Sequence, residues 1–202
     1  MNLRFESMLL GLLAKRSLFG ALSRVDAELE EKDRAKGCPY GCGGRLHRAY
    51  YRRKPRGELT DVPEEWMLRR GLCCGWCRRR VLPPSCLFLG RRVFWFCVVL
   101  LVIAARQNRA EGATMRKLTA LLGVSAKTVR RWGEWFRVEL PVSSWWSRLR
   151  GSVGAAVSDD RLPAALLEVF AESCATMEQA VVRCLAFMAA GPGVRLTTLI
   201  EG

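Results

Sequence analysis

Residues 115–136 read MRKLTALLGVSAKTVRRWGEWF. With Gly123 as the glycine of a tight turn, Leu118, Leu122, Val124, Val129 and Trp132 fall where two short helices would bury side chains. All five are apolar, at the spacing of helical faces. Glycine accepts the left-handed backbone such a turn needs. Ser125 stands where an N-cap belongs. The exposed face of the second helix then carries Ser125, Lys127, Thr128, Arg130, Arg131 and Glu134. That set suits phosphates and major-groove base edges, where an arginine reads guanine by two hydrogen bonds. The stretch predicts a helix-turn-helix, with Thr119 a departure from the small residue usual where its helices cross.

Outward from this stretch, Val93–Ala105 is an apolar run of 13 residues. A bilayer span needs about 20. The run predicts a buried helix that completes a three-helix core over residues 93–150. Trp132, Trp135, Trp145 and Trp146 are assigned to packing rather than to base stacking. Pro141 stops the helical run, and Ser143–Arg150 predicts one more short helix.

Upstream, Cys38-Pro39-Tyr40-Gly41-Cys42 and Cys74-Gly75-Trp76-Cys77 are two tight cysteine turns, separated by residues 43–73. Two such turns, each offering two thiolates, build a tetrahedral Zn²⁺ site that joins hairpins too small to hold together alone. The sequence leaves open Cys73 in place of Cys74, and His47 in place of one thiolate. Cys86, Cys97, Cys174 and Cys184 sit in apolar surroundings and read as buried free thiols. No His-Glu-x-x-His or His-x-Glu pattern accompanies the cysteines, which argues against catalytic zinc.

The 202 residues carry 33 Lys+Arg against 19 Asp+Glu, a net charge of +14. Such an excess favours polyanion partners, nucleic acid first. It is localised. Residues 38–100 hold 13 basic and 4 acidic side chains, and residues 101–150 hold 10 and 3. Residues 1–37 nearly cancel, and residues 151–202 are mildly acidic. Arg52, Arg53, Lys54 and Arg56, then Arg78, Arg79 and Arg80, then Arg91 and Arg92 cluster about the cysteine module as candidate phosphate contacts. A single histidine leaves little room for histidine-based catalysis.

The expected fold is mainly α, with a small β zinc-ribbon module and a helix-turn-helix core. Residues 1–36 predict an N-terminal amphipathic helix, with the three-to-four spacing of Leu9, Leu12, Leu13, Leu18, Phe19, Leu22 and Val25. Residues 37–92 form the ribbon, with strands expected at Arg45–Tyr51, Trp66–Cys73 and Val81–Leu89. Residues 93–150 form the helix-turn-helix domain. Residues 151–202 form a helical pair capped by Asp159 or Asp160. The N-terminal apolar stretch is short and flanked by charge, so it reads as a helix rather than a signal peptide, and the expected compartment is the reducing cytoplasm.

The order of parts, CPYGCGG, CGWCRRR, an apolar helix and TMRKLTALLGVSAKTVRRW, resembles the N-terminal region of zinc-ribbon transposases from bacterial insertion sequences. The resemblance covers about residues 38–137. It implies zinc on Cys38, Cys42, Cys74 and Cys77, and terminal-repeat DNA read by residues 125–134. Those transposases continue into a domain with three carboxylates around two metal ions. After residue 137 this chain offers Glu139, Asp159, Asp160, Glu168, Glu172, Glu178 and Glu201, on short predicted helices. The expectation is therefore a non-catalytic, sequence-specific DNA-binding protein of a mobile element on the bacterial nucleoid. It would bind element ends or a promoter, with double-stranded DNA, a separate transposase or recombinase, and a second copy of itself as candidate partners. The alternatives are a zinc-braced adaptor for protein partners and the DNA-binding part of a split transposase.

Overall fold

The computed structural model describes residues 3–55, 62–89, 94–107, 113–153 and 157–191. The chain is mainly helical, with a small antiparallel sheet and a cluster of four cysteines. The helices are α1 (Leu3–Leu12), α2 (Arg16–Lys36), α3 (Phe96–Arg106), α4 (Ala113–Leu122), α5 (Ala126–Glu134), α6 (Ser144–Arg150), α7 (Ala164–Glu172) and α8 (Met177–Ala190). Between α2 and α3 lie the strands β1 (Leu46–Arg48), β2 (Tyr51–Arg52), β3 (Leu68–Arg69), β4 (Leu72–Cys74) and β5 (Arg80–Val81). They pair as β1-β4-β5 and β2-β3, all antiparallel.

The apolar run becomes α3, and every residue from Phe96 to Ala105 is buried. A helix that is apolar all round needs neighbours on every side. Here α1, α5, α7 and α8 supply them. No helix among the described residues is long and apolar enough to cross a membrane. One connected core runs from Leu9 through Leu29 of α2, the length of α3, Leu118 and Trp132, to Met188 of α8. The ribbon has a separate, much smaller core of Leu46, Leu72 and Cys74.

Three local expectations are corrected. The N-terminal helix is two helices, broken at Leu13–Lys15, because α1 packs on α3 while α2 packs on α8. Val81–Leu89 is not one strand: it pairs at Val81, stops where Pro83 and Pro84 have no N–H to give a ladder, and bridges again only at Phe88, opposite Trp95. The rest is held by Asp26 of α2, whose buried carboxylate accepts from the Ser85 hydroxyl and from the Cys86 N–H at 2.5 Å. Finally, neither Asp159 nor Asp160 caps α7. Residues Asp159–Arg161 form a separate 3₁₀ turn, and Gln107 clamps the start of α7 instead. Its amide accepts from the Ala164 N–H at 2.8 Å and donates to the Leu162 carbonyl at 2.6 Å. Asp159 accepts from the Trp146 indole N–H at 2.8 Å and from Arg150.

Burial raises the Asp26 carboxyl from 3.8 to about 6, against the pull of Ser85, the Cys86 N–H and Arg69. Between those two values the folded chain keeps a proton that the unfolded chain has released. This group's contribution to stability is therefore full below pH 3.8 and lost as pH rises through about 6. Asp26→Asn removes that slope. In urea unfolding from pH 4 to 7, the variant should gain on wild type by roughly 2 kcal/mol across the window. Parallel stability curves would show that Asp26 ionises without penalty.

Candidate metal centre and basic helix

The first cysteine turn follows α2 directly. Its chain reversal uses glycines in the left-handed region, Gly41 at φ 73° and Gly43 at φ 71°. The Cys38 N–H closes the turn on the Gly44 carbonyl at 3.2 Å. The second turn leaves the end of β4. The Arg78 N–H bonds the Cys74 carbonyl at 3.1 Å, and the Cys74 N–H bonds the Arg79 carbonyl at 3.0 Å. The turns are tied together by the Gly75 N–H on the Arg45 carbonyl at 3.0 Å. Gly44 must be glycine for a steric reason. A Cβ there would lie 2.5 Å from Cys74 Sγ and 2.8 Å from Trp76 Cβ.

The sulfurs of Cys38, Cys42, Cys74 and Cys77 all lie within 4.8 Å of one another. Cys38 Sγ and Cys77 Sγ are 3.7 Å apart, and Cys42 Sγ and Cys74 Sγ 3.4 Å apart. Four thiolates bound to one tetrahedral ion at about 2.3 Å set their sulfurs roughly 3.8 Å apart. The arrangement therefore fits a single metal ion. The backbone also prepares it, since the N–H two residues on bonds the sulfur at three ligands: Tyr40 at Cys38, Gly44 at Cys42 and Arg79 at Cys77. Each such bond favours thiolate over thiol. The Gly44 N–H and the neighbouring thiols draw Cys42 down to about 6, while loss of water pushes Cys38 up to about 12. A bound cation compensates the crowded charge that otherwise keeps protons on such a group.

Neither sequence alternative enters the cluster. Cys73 Sγ turns to the Arg78 carbonyl at 3.4 Å. The His47 ring stands against Gly75, where a Cβ would meet Nε2 at 2.9 Å. Among the described residues, the four cysteines are the one group of three or more His, Cys, Asp or Glu side chains close enough to share an ion. Cys86, Cys97 and Cys184 are buried free thiols, as expected, and desolvation raises all three. Cys174 is half-buried.

The segment quoted at the outset forms α4 and α5 around Gly123, at φ 59°. Leu118, Leu122, Val124, Val129 and Trp132 are all buried. Ser125 caps α5, its hydroxyl accepting from the Thr128 N–H at 3.3 Å. Phe94 meets Trp132 edge-on at 4.9 Å and helps seat α5 on α3. Lys127, Arg130 and Arg131 are exposed, with no hydrogen-bond or ion-pair partner among the described residues. A groove of about 550 Å³ lies beside Arg130, lined also by Arg106, Arg137, Arg161, Glu134 and Asp160.

The basic clusters of the ribbon divide. Arg52 is held by Glu64 at 2.9 Å, and Arg53 lies over the Tyr51 ring at 5.2 Å. Lys54, Arg78, Arg79 and Arg80 are exposed, with Arg79 over the Tyr40 ring at 5.0 Å. Arg56, Arg91 and Arg92 fall outside the described residues. Two further arginines serve the fold. Glu30 near the end of α2 is buried, and it accepts from Arg70 at 2.9 Å, Arg48 at 3.2 Å and the Tyr50 hydroxyl at 2.7 Å. That carboxylate anchors the ribbon to α2. Helical periodicity sets Asp26 and Glu30 in the i+4 row of Leu18 and Leu22, on the buried side of α2, but it names no partner for them, since those lie 18 to 60 residues away in sequence.

Comparison with protein-family models, with curated proteins and with solved structures finds no match for this chain.

Proposed function

We propose that the chain is a non-catalytic, sequence-specific DNA-binding protein. In this reading α4 and α5 are a helix-turn-helix whose second helix enters the major groove, and the four cysteines hold a structural zinc ion. The observation that carries the reading is the two-sided character of α5. One side buries Val129 and Trp132, and the other presents Lys127, Arg130 and Arg131 unpartnered among the described residues. Cations without counter-charges on a firmly seated, N-capped helix are poised for phosphates and base edges. The four-thiolate tetrahedral set favours zinc, and a closed ligand shell makes its role structural. The sequence resemblance extends the reading to a mobile element. There the chain would mark element ends or a promoter for a separate recombinase on the nucleoid.

Salt dependence tests it. Fluorescence anisotropy on duplex DNA from 50 to 200 mM salt should show log affinity falling linearly with log salt, at about −0.9 per phosphate contact. An affinity indifferent to salt, or no duplex binding at 50 mM, overturns the proposal. Cleavage of DNA by the isolated chain with Mg²⁺ overturns its non-catalytic part.

A further inference from the structure

We propose that Trp76, at the apex of the second metal-binding turn, is a stacking platform for an unpaired nucleobase. The proposal rests on the DNA-binding reading and deepens it: the ribbon would read open DNA while α5 reads duplex.

Trp76 stands apart from the other six tryptophans, all of which are buried or half-buried. It is 75% exposed. Exposing an indole on a mobile loop would be unremarkable, but this turn is fixed at both ends. Cys74 and Cys77 flank Trp76 and converge on one centre. Beside the indole lies a shallow pocket lined by Gly43, Gly44 and Gly75, with Arg45 and His47 at its edge. Gly43 leaves open space there, with nothing within 4 Å of where a Cβ would stand, so a flat ring can approach from that side, while His47 already covers Gly75. Neither turn, over residues 38–48 and 72–81, contains an Asp or Glu. Arg45, Arg78, Arg79 and Arg80 are exposed around them.

An exposed aromatic ring with a flat approach and uncompensated cations nearby is how proteins hold single-stranded nucleic acid. The ring takes a base face and the cations take the backbone. Inside a duplex each base face is already covered by its neighbours. Trp76 therefore has a partner only where stacking is open, at a frayed end, a flap or a single strand. Tryptophan and arginine also serve protein interfaces; what favours a nucleic acid here is charge, because neither turn carries a carboxylate while Arg45 lines the pocket and Arg78, Arg79 and Arg80 are exposed on the same turn.

The test uses the full, metal-loaded chain and three probes of common sequence: a blunt duplex, the duplex with a short single-stranded overhang, and the single strand. Wild type should prefer the overhang over the blunt duplex by about 10-fold, within the range for stacking one base on an aromatic residue. 2-Aminopurine placed in the overhang should be quenched on binding. Trp76→Ala should erase both effects while keeping metal content and blunt-duplex affinity. Trp76→Phe should keep most of the preference, which covers the case of an alanine variant that folds poorly. Equal wild-type affinity for overhang and blunt duplex overturns the proposal and leaves Trp76 to a protein contact. A preference that survives Trp76→Ala also overturns it. Failure to bind any of the three probes sinks the DNA-binding reading itself, which keeps the two failures distinguishable.

Discussion

Removing the metal should unfold the ribbon and leave the helices standing. The two parts have separate cores. The helical core joins dozens of buried side chains from Leu9 to Met188, Cys86–Leu89 among them, whereas the cysteine-bearing part of the ribbon, residues 38–81, has a core of only Leu46, Leu72 and Cys74. Its strands are two or three residues long. Such pieces cannot repay the entropy of ordering their backbone, which costs about 1–2 kcal/mol per residue. Structural Zn²⁺ contributes about 10–16 kcal/mol in small zinc modules at neutral pH, enough to decide whether they fold. The purified chain should therefore carry one ion. Chelation should abolish amide protection and admit protease across residues 38–81, with most of the helical circular dichroism retained. Cys74→Ser should behave like chelation, and Cys73→Ser like wild type, because Cys73 Sγ turns to backbone carbonyls. Loss of metal in Cys73→Ser would sink the ligand assignment. Collapse of the whole helical signal on chelation would show that the helical core needs the ribbon.

The second large effect is expected on α5. Arg130→Ala combined with Arg131→Ala should cut affinity for a specific duplex by roughly 30-fold or more, taking each base contact at about 1–3 kcal/mol. If either arginine instead contacts phosphate, the salt slope should shrink by about 0.9 for each such contact. Thermal stability should hold, since both side chains are exposed and unpartnered among the described residues. Trp132→Ala is the contrasting variant. It empties a buried site on the other side of the same helix, so it should cost about 3–5 kcal/mol of stability. Unchanged affinity in the double arginine variant would remove α5 as the reading element, whatever else on the protein binds DNA.

The two faces of α5 were legible in advance because both are written locally. Apolar residues at helical spacing, a serine at the cap and a glycine at the turn act within a few residues of one another. The same locality made the two cysteine turns and the buried character of α3 readable. It also explains the failures. The helix break at Leu13–Lys15 and the Gln107 clamp on α7 depend on which distant element packs where. Asp26 and Glu30 find their partners only when the ribbon and the Ser85–Leu89 segment fold back on α2.

By itself, then, the sequence determined a mainly helical chain with a cysteine module, a seated basic helix and a charge excess confined to residues 38–150. Only the tertiary structure chose between Cys73 and Cys74. The two are neighbours on β4, and successive side chains of a strand point to opposite faces. The antiparallel register sets Cys74 opposite buried Leu46 and Cys73 opposite exposed His47. Moving that register by one residue would exchange the two faces. Spacing along the chain carries no information about register, so which cysteine completes the four-sulfur cluster was decided by strand pairing.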